Sequence, residues 1–306
     1  MSSRPPAALA LLLLCSCNSK MLRVVEERPG GPDTFRVAIM HLSSVNGRRP
    51  TQEAADRNIE ANLARTFPLI RMAARAGAKV IVTPEYCNTG IRIAGRSRKF
   101  LSTRLPPTPT AKPLWETEFD GMADHLVRYA RLSREVDAYV VTDVLERSDE
   151  GGKTKYYNSM VAFDPQGRLV ANYRKINLYM FENFLESRGK DPTSFDTPYG
   201  RFGMLLCFDT MTPRTWKALV RDHEVDFFCA QTLWEHTPLT GRWAMNLLAN
   251  MSGRTVCWSN QQRGWLGGGA GVIRPGNGND ASLGLWAEAG IVVANLPIPE
   301  RLRGRR

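Results

Sequence analysis

The chain has 306 residues, 43% hydrophobic and 23% charged, enough apolar matter for a substantial core, and composition excludes a disordered chain. Its net charge is +11, yet the dense basic groups (Arg92, Arg96, Arg98, Lys99; Arg301, Arg303, Arg305, Arg306) have no aromatic or nucleic-acid motif beside them. A solvated basic face with no nucleic-acid partner is the reading, and no run after residue 19 suffices for a transmembrane helix.

Residues 1–19 stand apart. Arg4 supplies a positive start, Ala7 to Leu14 an apolar core, and Cys15-Ser16-Cys17-Asn18 follows. The run is too short to span a bilayer and reads as a secretory leader. Leu14-Cys15-Ser16-Cys17 also resembles a bacterial lipoprotein box, which would place a lipid anchor on Cys17. Both outcomes put the product outside the cytoplasm. Residues 20–33 read as a linker, 34–297 as one catalytic domain without internal repeats, and 298–306 as a basic, unstructured tail.

From Phe35 the pattern alternates strand and helix. Phe35 to Leu42 is the first strand, and Thr51 opens a helix carrying Ile59, Leu63, Phe67 and Ile70 at helical spacing. Ala78 to Thr83 is an apolar strand leading to Glu85, and residues 90–113 read as a loop over the site. A helix with Phe119, Met122, Leu126 and Tyr129 on one face precedes a strand from Ala138 to Val144. Tyr156 to Phe163 and Leu169 to Lys175 form a hairpin around Asp164-Pro-Gln-Gly167. Met204-Leu205-Leu206 is a buried strand, with Cys207 at its end and a helix from Arg214 to Asp222 beyond. Further on come a strand at Val225 to Ala230, a helix near Thr240 to Met251, and strands near Val256, Val272 and Ile291. The order predicts an α/β fold of two sheets with outer helices.

A cysteine between a strand end and a helix start has an exposed sulfur, free N–H groups beside it and a dipole that favours thiolate. That is a nucleophile's position. Alone, such a cysteine is more often a small buried hydrophobe. Four cysteines follow the leader: Cys87, Cys207, Cys229 and Cys257. With one as nucleophile, an odd three remain, which is no disulfide framework. Cys229 and Cys257 sit in core-like runs, and Cys87 lies close enough to Glu85 to border a pocket. The cysteine spacing matches no zinc motif and the four histidines do not cluster, so no metal and no cofactor is expected. Gly267-Gly-Gly-Ala-Gly271 lacks the Lys-Ser/Thr of a phosphate loop. Asn250-Met-Ser252 is a formal glycosylation sequon at a predicted helix end.

Val82-Thr-Pro-Glu85, Tyr173-Arg-Lys175 and Leu205-Leu-Cys207-Phe-Asp, in that order, resemble the triad of the carbon–nitrogen hydrolase (nitrilase) superfamily. Tyr157-Asn-Ser-Met-Val-Ala-Phe-Asp-Pro-Gln-Gly167, Lys175-Ile-Asn-Leu-Tyr-Met-Phe-Glu-Asn183 and Trp243-Ala-Met245 are most similar to its vanin/biotinidase branch. The resemblance implies a four-layer α-β-β-α sandwich. It implies Cys207 as nucleophile, Glu85 as general base and acid, and Lys175 with the Phe208 backbone N–H at the oxyanion. Glu182 matches a second glutamate that positions the lysine and substrate. Asp209 reads instead as a cap for the following helix. The expected activity is hydrolysis of linear, non-peptide amides through a thioester, with pantetheine or biotinyl amides as the branch-specific substrates. Aliphatic amides, N-carbamoyl compounds and acyl transfer are alternatives within the superfamily. A catalytically inactive secreted binding protein is the alternative of another class. The chain reaches residue 306 without the C-terminal domain of vanins and biotinidase, and bare sandwiches commonly pair, so a homodimer or larger assembly is expected.

Overall fold

A computed structural model describes residues 9–13, 22–46, 51–90, 98–180, 182–234, 238–261, 269–276, 281–283 and 289–304. Arg4, Cys15–Asn18, Arg92, Arg96, Gly267, Gly268, Arg305 and Arg306 lie outside the described residues. The first two strands are β1 (Leu9–Leu13) and β2 (Leu22–Glu26), paired antiparallel. β2 runs parallel to the last strand, Ala289–Pro297, so residues 20–33 are not a bare linker. Val24 is buried and Val25 packs on the core between the sheets, which is why this short run is held.

β3 (Thr34–Leu42) leads into α1 (Gln52–Arg75), capped by the Thr51 hydroxyl, which accepts from the Ala54 N–H at 3.3 Å. β4 (Ala78–Val82) follows, then α2 (Arg98–Leu101), one turn of helix inside the expected loop. The next helix, α3 (Asp124–Glu135), begins after Phe119 and Met122, so only Leu126 and Tyr129 of the predicted face belong to it. β5 (Tyr139–Glu150), β6 (Lys153–Phe163) and β7 (Leu169–Arg174) form two consecutive hairpins. In the second, Gly167 takes φ +77°, and buried Asp164 accepts from the Gln166 and Arg168 N–H groups.

The remaining elements are α4 (Glu182–Leu185), β8 (Ser194–Thr197), β9 (Gly200–Leu206), α5 (Pro213–Arg221), β10 (Phe227–Thr232), α6 (Pro238–Ser252), β11 (Thr255–Gln261), β12 (Gly271–Ile273), β13 (Ala281–Ser282) and β14 (Ala289–Pro297). The main strand order is β7-β6-β5-β4-β3-β11-β10-β9-β8. The two halves join where His41 and Leu42 of β3 pair with Asn260 and Gln261 of β11. They then face each other.

Strand alternation explains the layers. Ala38, Met40 and Leu42 of β3 point towards α1 and α3, while Val37 and Ile39 point into the space between the sheets. On the other half, Met204 and Leu206 of β9 enter that same space, while Leu205 packs with Trp216 of α5 and Leu248 of α6. Three apolar layers thus separate helix, sheet, sheet and helix, the expected four-layer α-β-β-α sandwich. Phe35, Tyr199, Phe202 and Phe227 interlock in the central layer, with ring centroids 4.9 to 6.3 Å apart. Cys229 and Cys257 lie opposite each other on β10 and β11, buried in that layer as expected. The tail is partly ordered: Glu300–Leu302 makes a 3-10 turn, and Arg301 pairs with Asp226 at 2.6 Å.

Candidate active site

Glu85 stands three residues beyond β4, in a turn held from below by Asp143 of β5. Asp143 accepts from the Tyr86 N–H at 2.7 Å and the Cys87 N–H at 3.1 Å. Tyr86 is thereby kept at φ +56°, a strained value for a non-glycine residue. Burial pushes Asp143 up to about 7, against these hydrogen bonds. Cys87 is fully buried, its sulfur near Thr83, Thr142 and Asp143. It belongs to the support of this turn.

Lys175 follows β7 directly and is fully buried. Its Nζ lies 3.0 Å from Glu85 Oε1 and 2.7 Å from Glu182 Oε1. Burial opposes its charge, but Glu85, Cys207 and Glu182 outweigh that and hold its pKa well above the ordinary lysine value. The lysine is an ammonium ion. Glu182 opens α4, with Oε2 accepting from the Tyr179 N–H at 2.6 Å. Glu85 Oε1 also accepts from Asn158 Nδ2 at 2.8 Å, and Gln261 donates to the Glu85 carbonyl at 2.9 Å. The other Glu85 oxygen, Oε2, is buried with no hydrogen-bond partner among the described residues. Burial above all, with Glu182 adding, raises the Glu85 pKa, while Lys175 and Asn158 oppose the rise.

Cys207 directly follows β9 at φ +46° and starts a 3-10 turn, Cys207–Met211. Because α5 begins only at Pro213, the expected helix-dipole assistance is replaced by other donors. Trp234 Nε1 donates to Sγ at 3.2 Å, and the Leu233 N–H also bonds it. Burial first, then Glu85, push the thiol well above its ordinary value, despite Lys175. That direction favours a neutral thiol over a thiolate at Cys207. Asp209 is not the cap of α5, whose N-cap is Thr212. Buried between the elbow and β7, Asp209 accepts from Tyr173 Oη at 2.7 Å, Leu206 N at 3.3 Å, Asn177 N at 2.9 Å and Asn177 Nδ2 at 2.8 Å. It ties the cysteine elbow to the segment that carries Lys175.

The structure therefore joins Glu85, Lys175 and Glu182 directly and places Cys207 within their electrostatic reach. Phe208, whose N–H was assigned to the oxyanion, has a half-exposed ring 5.6 Å from that of Tyr179. Met180, Phe184 and Met211 are exposed as well. Sequence reading passed over Tyr86, Asn158 and Trp234. Asn158 lies inside the Tyr157–Gly167 word that carried the branch resemblance, a signal that was available.

Fold and site define an α-β-β-α sandwich with a buried Glu-Lys-Glu cluster and an elbow cysteine. Residues 36–300 match the carbon-nitrogen hydrolase family, and the chain belongs to it. It is 29% identical over 272 residues to the pantetheinase of Canis lupus familiaris, covering 82% of this chain and 48% of that protein. With the biotinidase of Rattus norvegicus it shares 29% over 249 residues, covering 76% and 47%. The chain spans about half the length of these curated relatives. The vanin/biotinidase likeness read from the Tyr157 and Lys175 words agrees with them. A mutant of the amidase from Nesterenkonia sp. AN1, with the acetamide moiety of fluoroacetamide added covalently at its active-site cysteine, superposes with TM-score 0.67 at 19% identity, covering 92% of this chain and 97% of that one.

Proposed function

We propose that this protein hydrolyses linear, non-peptide amides through a thioester on Cys207, with pantetheine and biotinyl amides as the first substrates to test. One observation carries the reading: Glu85, a buried carboxylate whose Oε2 has no partner among the described residues, shares Lys175 with Glu182 in the electrostatic field of an elbow cysteine. Amides resist attack because the amine leaves poorly, and a thiol divides the task into acyl transfer and thioester hydrolysis. Glu85 takes the Sγ proton as sulfur attacks the carbonyl carbon. The oxyanion forms near Lys175 Nζ and the Phe208 N–H. Glu85 then returns the proton to the departing nitrogen, and its raised pKa suits a group that must both accept and donate. Water, deprotonated by Glu85, attacks the thioester, and the carboxylic acid leaves with Cys207 restored.

The test is a hydrolysis screen across pantetheine, biotinyl amides, short aliphatic amides and N-carbamoyl compounds, with rapid acid quench and mass analysis of the Cys207 peptide. Turnover of a pantetheine or biotinyl amide supports the branch reading. Turnover confined to short amides or carbamoyl compounds moves the substrate elsewhere in the family. No hydrolysis of any amide by folded protein, with no acyl adduct, defeats the enzyme reading in favour of a binding role.

Two further proposals attach to this reading. An extracytoplasmic product is expected from the Arg4, Leu11–Leu14 and Cys15–Cys17 arrangement. N-terminal mass analysis should find a free terminus just past the apolar run or a lipidated Cys17; an intact Met1 in cytosol excludes both. A homodimer or larger assembly is expected as well, since α6 exposes Trp243, Leu247 and Met251 at four-residue spacing along one face. Light scattering at micromolar concentration should show at least a dimer, and a monomer alone would refute it.

A further inference from the structure

Glu186 is a carboxyl to which the chemistry above gives no task. It follows α4, and its N–H donates to the Glu182 carbonyl at 2.8 Å. Its Oε1 lies 3.3 Å from Tyr86 Oη, and its buried Oε2 has no hydrogen-bond partner among the described residues. The Tyr86 hydroxyl has a crowded set of partners. Asn158 Nδ2 donates to it at 3.0 Å, and Glu182 Oε1 stands 2.9 Å away.

A phenol hydroxyl has one proton to give and two lone pairs to share. Asn158 occupies one lone pair. Glu182 is the nearer acceptor and the partner of Lys175, so it takes the Tyr86 proton. The contact with Glu186 then requires a proton from Glu186 itself. Ionised, Glu186 would meet Tyr86 lone pair to lone pair, and its Oε2 would be a buried charge without a donor.

We propose that Glu186 is a positioning residue that works as a neutral carboxylic acid, donating to Tyr86 and so holding Tyr86 on Glu182, and that its ionisation sets the alkaline limit of the reaction. This rests on the amidase reading given above. Burial first, then Glu182, push its carboxyl up to about 8; Lys175 opposes, Glu85 adds, and the Tyr86 hydrogen bond opposes. Among the described residues, the charged and titratable groups facing it are Glu182 of α4, Lys175 after β7, and Glu85 and Tyr86 in the turn after β4. Arg98 of α2 reaches the same segment but donates to the Leu185 carbonyl and lies over the Tyr156 ring. Once ionised, Glu186 competes for the Tyr86 proton and adds negative charge beside the Glu182–Lys175 pair. That draws the lysine's field away from the oxyanion and makes the reaction fail from the alkaline side.

The test compares full-length wild type with Glu186→Gln, Glu186→Ala and Tyr86→Phe. Infrared pH-difference spectra should show the wild type losing a protonated carboxyl band with a midpoint near pH 8, a band that Glu186→Gln lacks and Glu85→Gln keeps. In kcat/KM against pH, on whichever amide the screen identifies, Glu186→Gln should move the alkaline limb upward. Glu186→Ala should lower kcat/KM at neutral pH by about tenfold, the order of one lost hydrogen bond, and Glu186→Gln should recover most of that loss. Tyr86→Phe should remove the sensitivity of the limb to residue 186. The same infrared band in Glu186→Gln, or an unmoved alkaline limb, overturns the proposal. Absence of turnover on every amide would fail the amidase reading instead, and the infrared comparison would still decide for or against a neutral Glu186.

Discussion

Cys207→Ala is expected to abolish turnover while the protein keeps its fold. In the proposed reaction Sγ forms the acyl bond, and no other described thiol can substitute, since Cys87, Cys229 and Cys257 are fully buried. Alanine fills the space of a small side chain and removes the sulfur's contacts with Trp234 Nε1 and the Leu233 N–H. The backbone at φ +46° is strained for both residues alike, so circular dichroism and the melting temperature should change little. Acid-quenched wild type should carry an acyl group on the Cys207 peptide, and the variant none. Near-normal turnover by purified Cys207→Ala would show that the hydrolase reading is wrong and return Cys207 to the role of a core residue.

Glu85→Gln and Lys175→Ala should differ in how they fail. Glutamine keeps the shape and an acceptor for Asn158 and Lys175 but removes the proton acceptor. Its loss should be roughly the 10²–10⁴-fold of general acid–base catalysis, or more if Glu85 serves both steps. Lys175→Ala should lose about the 10²–10³-fold of an oxyanion contact. It should also destabilise the fold, because Glu85 and Glu182 then lie buried without their shared cation, a deletion worth about 3–5 kcal/mol in comparable buried pairs. Denaturant unfolding beside kcat separates the two effects. A Lys175→Ala protein with wild-type stability and rate would remove the lysine from the site.

Much of this architecture was legible before any coordinates. Short apolar runs placed β4 and β9, because a strand buried on both faces reads as a continuous apolar stretch, and turn residues around Asp164 placed the hairpin. β2 was missed because Leu22–Glu26 is short and is followed by Pro29-Gly-Gly-Pro32, which reads as a break; its partner, β14, lies more than 260 residues away. The sequence order also brought out Glu85, Lys175, Glu182 and Cys207, each beside a recognisable word. Hydrogen-bond partners were a different matter. Asn158 reaches Glu85 across 73 residues and Glu186 reaches Tyr86 across 100, and local pattern carries no information at such range. Asp209 misled for a related reason: an aspartate directly before Thr210-Met-Thr-Pro213 fits a cap locally, whereas its partners, Tyr173 and Asn177, come from another strand's end.

The groups proposed to react are divided between the two sheets. Glu85 and Lys175 leave β4 and β7 in one, and Cys207 leaves β9 in the other. Val82, Met160, Tyr173, Met204 and Leu206 fill the layer between. Facing sheets stand about 10 Å apart because interdigitated side chains set that thickness. The interior therefore acts as a gauge block: side-chain volume fixes how far ammonium and carboxylate must reach to meet sulfur. A misplacement of about 1 Å can cost on the order of a hundredfold in rate. Met204, fully buried in this layer, thus helps set the reaction distance without being asked to touch a substrate. Tuning of rate in such a fold can proceed through methylene groups deep in the core, far from any residue that chemistry would single out.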